Sequence, residues 1–108
     1  MATYVVLNTF TEQGIRSVKD TTSRANAARD LAKKFGVTMK EVYWTLGQYD
    51  IVSVVDSPDE GSVTALALAL GAAGNVRTQL LRAFTQNEMK GILGKLNAKA
   101  PKKAAVPA

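Results

Sequence analysis

Strand-like and helix-like stretches follow one another along this chain in a fixed order, and that order limits the folds open to it. Thr3 to Phe10 is rich in β-branched and aromatic residues, the composition of a strand. Thr11, with Glu12 and Gln13 behind it, opens a helix. Its apolar positions Ile15, Val18, Ala25, Ala28, Leu31, Ala32 and Phe35 recur at helical spacing. The polar segment Asp20 to Ser23 is a candidate break, and Gly36 after Lys33 and Lys34 marks a stop. Lys40 to Leu46 and Tyr49 to Asp56 are two further strand-like runs. The short link Gly47-Gln48 makes them an antiparallel hairpin.

Ser57-Pro58-Asp59-Glu60 has the proline and the acids of a helix start. The alternating run Ala65 to Leu70 fits a strand by period, but both residue types are strong helix formers. The flanking signals and Gly74 favour a helix, with Leu66 and Leu70 on one side and Leu68 on the other. Asn75 to Phe84 is the fourth strand, and Thr85 with Glu88 forms a capping box ahead of a short helix carrying Met89, Ile92, Leu93 and Leu96. The sum is β-α-β-β-α-β plus a terminal helix: an α+β, ferredoxin-like pattern with a four-stranded antiparallel sheet over residues 1–97. Residues 98–108 are Ala, Lys, Pro and Val without periodicity, and disorder is expected there.

The two parities of each strand face opposite sides of the sheet. Val5, Leu7, Val42, Trp44, Leu46, Val52, Val54, Leu81 and Ala83 form an almost wholly apolar set, expected beneath the helices. The other set includes Tyr4, Val6, Phe10, Tyr43, Ile51 and Leu80 with the polar Asn8, Thr45, Ser53, Thr78 and Arg82. It is expected to be the open face, because no element remains to cover it. Burying roughly 400 Å² of apolar surface would be worth about 10 kcal/mol before association costs. A second copy packed against the open face is therefore expected, with the polar members between the sheets, paired or lining a ligand pocket.

Chemistry is constrained as much by absence. The chain contains no cysteine and no histidine, which excludes disulfides, thiolate or imidazole metal sites and Ser-His-Asp triads. The acids show no metal-ligand spacing, and no phosphate-binding glycine loop is present. No cofactor or metal is expected. In residues 1–89 nine basic side chains balance nine acidic ones, and the surplus of +5 is Lys90, Lys95, Lys99, Lys102 and Lys103. Nucleic acid is thus not an expected partner, beyond weak, salt-sensitive contact with the end of the chain. The first residues lack a signal-peptide pattern, and Val63 to Ala73 is too short to span a bilayer, so a cytoplasmic location without membrane attachment is expected.

Gly47-Gln48-Tyr49-Asp50, within Tyr43-Trp44-Thr45-Leu46-Gly47-Gln48-Tyr49-Asp50, resembles the G-x-Y-D signature of the GYD domain family. Thr9-Phe10-Thr11-Glu12-Gln13-Gly14 and Asn75-Val76-Arg77-Thr78, followed by Leu81-Arg82-Ala83-Phe84, are similar to its other recurrent segments. The resemblance covers residues 1–97. It implies kinship with the dimeric α+β-barrel group, in which two ferredoxin-like sheets pack together. The family has no assigned biochemical function, so the resemblance carries no substrate.

Candidate ligand-binding residues are Arg82, Asn8, Thr45, Ser53, Thr78, Tyr49 and Asp50. An arginine in a partly enclosed cavity suits a small anionic ligand. The competing reading pairs Arg82 with an acid such as Asp50 or Glu41 of another subunit. Gly47, Tyr49 and Asp50 equally make a plain turn, and Trp44 suits the core. Catalytic residues are not assignable. The leading expectation is a noncatalytic or regulatory homo-oligomeric module with a small-ligand pocket between sheets. One alternative is a cofactor-independent monooxygenase or isomerase, in which Arg82 stabilises negative charge and a tyrosine or Asp50 moves a proton. The other is a purely structural assembly protein.

Overall fold

The computed structural model describes residues 1–97, and the segment expected to be disordered lies outside the described residues. Four strands, β1 (Ala2–Phe10), β2 (Thr38–Trp44), β3 (Ile51–Ser57) and β4 (Val76–Ala83), form one antiparallel sheet in the order β2-β3-β1-β4. This order is consistent with a ferredoxin-like chain path. The helices are α1 (Glu12–Arg16), α2 (Thr21–Lys34), α3 (Glu60–Ala72) and α4 (Gln86–Gly94).

The long first helix is in fact two. The break falls at Ser17 to Asp20, overlapping the expected segment only at Asp20, with a 3₁₀ turn at Val18–Asp20, and Thr21 to Ser23 already belong to α2. Ser17 ends α1 by donating its hydroxyl to Gln13 O at 3.1 Å. The Arg24 guanidinium then occupies the freed carbonyls of Gly14 and Ser17. The Ala65 to Leu70 run is helical, as its flanks indicated. The Asp59 carboxylate caps α3 by accepting the Ser62 N–H at 2.7 Å. Leu66 and Leu70 face inward, and Leu68 is 70% exposed.

The core lies between one sheet face and the pair α2 and α3. It consists of Tyr4, Val6, Ala32, Val37, Val55, Val63 and Leu66. This corrects the expected face assignment. Strand register gives rows of residues that share a face. On the helix side run Val42, Ser53, Val6 and Leu80, and next to them Trp44, Ile51, Asn8 and Thr78. On the opposite side run Tyr43, Val52, Leu7 and Gln79, and then Glu41, Val54, Val5 and Leu81. The expectation holds for Val42, Trp44 and Tyr43 of β2 and is inverted for β1, β3 and β4.

The physical reason is that the polar members are tolerable inside. The Thr78 hydroxyl donates to Asn8 Oδ1 at 2.7 Å, and Ser57 donates to Asp59 O at 2.7 Å. Trp44 is on the helix side but not in the core; it is half exposed, with its indole N–H donated to Thr21 Oγ1. Leu46 is fully exposed in the loop after β2, not under the helices.

Strand β2 carries one irregularity: Met39 opposes Val55 and Glu41 opposes Val54, so Lys40 is an extra residue. Helix α4 buries none of its residues, so it does not serve as a lid for the sheet.

Candidate functional site

Two surfaces of this fold have no ordinary structural explanation. The first is the sheet face turned away from the helices. Val5, Leu7, Val52 and Val54 sit there half-buried, flanked by Leu81 at 41% and Tyr43 at 52% exposure. Contiguous apolar side chains across four strands are a patch of the kind that marks an interaction surface. The Tyr43 hydroxyl donates to Glu41 Oε2 at 2.6 Å. That hydrogen bond to the carboxylate, reinforced by its charge, pushes the phenol pKa above its usual value.

The second is a half-open cavity of about 270 Å³ between the sheet and the helices. Its walls come from small residues, Ala25 and Ala28 of α2 and Ala67 of α3, backed by Leu31 and Leu70. Its floor is Val6, Asn8, Ser53 and Leu80 of the sheet. Native interiors hold few voids larger than a water molecule, so a space of this size is an exception to close packing.

The seven candidate residues divide into three groups. Asn8 and Ser53 line the cavity, and Thr78 is held against Asn8. They lie beneath the helices and not on the open face. Thr45, Tyr49 and Asp50 belong to the β2–β3 loop. Thr45 donates its hydroxyl to Tyr49 O and its N–H to Asp50 O, and Asp50 accepts the Phe10 N–H. Gly47 has a positive φ of 110°, which suits glycine at this turn. The Tyr49 hydroxyl donates to Gln79 Oε1 at 3.0 Å, on the open side, beside a shallow groove with Leu7, Thr9 and Arg77.

Arg82 stands apart, four residues along β4 from Thr78, roughly 13 Å away. Its guanidinium lies over the Tyr4 and Phe84 rings, 5.7 and 4.4 Å from their centroids. It donates to the Thr3 and Ala83 carbonyls and pairs with Glu88 of α4 at 3.8 Å. Within its own chain the acid it pairs with is Glu88. Glu88 in turn completes the capping box by accepting the Thr85 N–H at 2.9 Å. That bond, helped by Arg82, holds the Glu88 carboxyl below the usual carboxylate range.

The alanine walls of the cavity escaped sequence reasoning. The available signal was the inward-facing position of Ala25, Ala28 and Ala67 on two helices, where larger side chains would have filled the space. Among the described residues no cluster of acidic side chains has the makings of a metal site, and no helix is long and apolar enough to cross a membrane.

A family model described as GYD domain matches residues 4–93. A protein of Thermus thermophilus named glutamine synthetase and cystathionine beta-lyase binding protein is 36% identical to this chain over 85 residues, which are 78% of this chain and 90% of that protein. No solved structure matches the chain.

Proposed function

We propose, from the premise that the chain belongs to the GYD domain family, that it is a noncatalytic binding module that pairs with a second copy through the bare face of its sheet and holds other proteins on its outer surface. The observation that carries the pairing is the apolar patch of Val5, Leu7, Val52, Val54 and Leu81, which faces away from both core helices. Desolvating it against an identical patch is the simplest use of such a surface. The name of the Thermus relative, which says that it binds two enzymes, supports the protein-binding half. A cytoplasmic location belongs to the same proposal.

The noncatalytic reading is preferred to the cofactor-independent oxygenase or isomerase because of where the chemistry-bearing residues lie. Neither Arg82 nor Asp50 lines the cavity. Arg82 is engaged by Glu88 and two carbonyls, and Asp50 by the Phe10 N–H.

Size-exclusion chromatography with light scattering at micromolar concentration tests the pairing. A mass of at least two chains is expected, falling to one in Val54→Lys with the circular dichroism unchanged. A stable wild-type monomer would remove the proposal. The protein-binding half is tested by surface plasmon resonance against purified glutamine synthetase and cystathionine beta-lyase of the same organism. Failure to bind either enzyme rejects that half.

A further inference from the structure

The cavity under α2 and α3 lies on the opposite side of the sheet from the bare face, and its chemistry is specific. Most of its lining is aliphatic, and among the described residues it contains neither lysine nor a carboxylate. Its one cation is Arg24, whose guanidinium is already taken. It donates to Ser17 O at 2.7 Å, Ser17 Oγ at 2.9 Å and Gly14 O at 3.1 Å. A cationic guest would meet no carboxylate here, and an anionic one would have to compete with the three oxygens that already hold Arg24 while losing its own hydration. The anionic ligand expected from Arg82 therefore does not suit this site.

Two polar groups break the apolar floor. Asn8 is 7% exposed and Ser53 is 3% exposed. The Thr78 hydroxyl occupies Asn8 Oδ1 and so fixes the amide, leaving Nδ2 as a donor with no acceptor among the described residues. Ser53 Oγ also has no hydrogen-bond partner among the described residues. Among the described residues, no buried side-chain polar atom is both sealed from open space and unpartnered. Both groups therefore border the cavity that they line. The two are diagonal neighbours, since Asn8 opposes Ile51, two residues from Ser53.

Water is a poor tenant for the whole space. An ordered buried water needs two to four polar partners, and the apolar walls offer few. A mainly apolar pocket with a small number of convergent donors is instead the usual form of a small-molecule site.

We propose that this cavity binds a small, uncharged, largely apolar carbonyl compound, its oxygen accepting from Asn8 Nδ2 and Ser53 Oγ and its hydrocarbon part lying against the alanine walls. This goes beyond the binding-module reading and is independent of the open sheet face.

The test uses the full chain and three probes of similar shape: acetophenone, ethylbenzene and benzoate. Binding is followed by the side-chain amide signal of Asn8 in nitrogen-15 NMR spectra. Acetophenone is expected to shift that signal saturably and to bind at least about tenfold more tightly than benzoate. Ser53→Ala, a mild change, should weaken acetophenone by about threefold to tenfold and leave ethylbenzene unchanged. Ala28→Leu should fill the space and abolish both, with light scattering showing the same oligomer mass as the wild type. The idea is overturned by the absence of a saturable shift, by benzoate binding as tightly as the ketone, or by acetophenone binding that survives Ala28→Leu in a folded protein. A monomeric wild type that still binds acetophenone would reject the pairing and leave this site standing.

Discussion

The carboxylate of Asp50 accepts the backbone N–H of Phe10 at 2.8 Å, while the Asp50 N–H is donated to Asn8 O at 2.9 Å. One residue of the β2–β3 loop thereby ties that loop to the end of β1. The tyrosine beside it reaches to β4 through Gln79. Tyr49 and Asp50 of the Gly47–Asp50 signature thus clamp the loop to β1 and β4.

Asp50→Ala removes the acceptor and leaves the Phe10 N–H without its partner, so a loss of about 1–3 kcal/mol is expected. Asp50→Asn keeps an acceptor oxygen and should cost less. Urea melts of the two variants beside the wild type check the order.

Gly14 sits where any side chain would strike backbone. A Cβ there would lie 2.0 Å from Asn75 O. The same corner is bound tightly: Thr11 N–H donates to Asn75 O at 3.1 Å and the Thr11 hydroxyl to Gly74 O at 2.6 Å. Gly14→Ala must pry this corner open, and a cost at or above the usual overpacking range of about 1–3 kcal/mol is expected. Thermal denaturation reads it directly.

Acid should loosen α4. The folded state holds the Glu88 carboxyl below its ordinary value, first through the Thr85 N–H and then through Arg82. A depressed carboxyl pKa contributes stability that is present above the unfolded pKa and lost as pH falls through the folded one. Hydrogen exchange at α4 amides should therefore accelerate, relative to core strands, over that acidic window. Glu88→Gln should remove the pH dependence of the difference.

Two of the exposed leucines, Leu68 and Leu81, should behave differently. Leu68, on the outer side of α3, is 70% exposed. Leu68→Lys should change stability by no more than about 0.5 kcal/mol and leave the light-scattering mass alone. Leu81→Lys places a charge on the bare sheet face and should lower that mass.

Element order was legible because it rests on local signals. Thr85 caps α4 as its spacing from Glu88 indicated, and α3 starts in the region read as its beginning, with Asp59 as its cap instead of a first-turn acid. The sides of the sheet were not, since parity sorts residues into two sets without saying which set the helices choose. The more apolar set, with Val5, Leu7 and Val54, faces outward. The set holding Asn8 and Ser53 is accepted inside because Thr78 satisfies Asn8 Oδ1 and the remaining donors border a half-open cavity and are not sealed in the core. That void was invisible because it is made of what alanines leave unfilled. Arg82 was legible as an ion-pair former, but its partner Glu88 was hidden in a capping box that already explained it.

The supernumerary Lys40 governs how copies of this chain can grow. A strand adding itself along β2 would meet a broken ladder, and an ammonium held 3.3 Å from Asp56. Lateral polymerisation from that margin is thus discouraged, and the proposed pairing through the bare face, if related by a two-fold axis, would end after two members instead of propagating as a fibre.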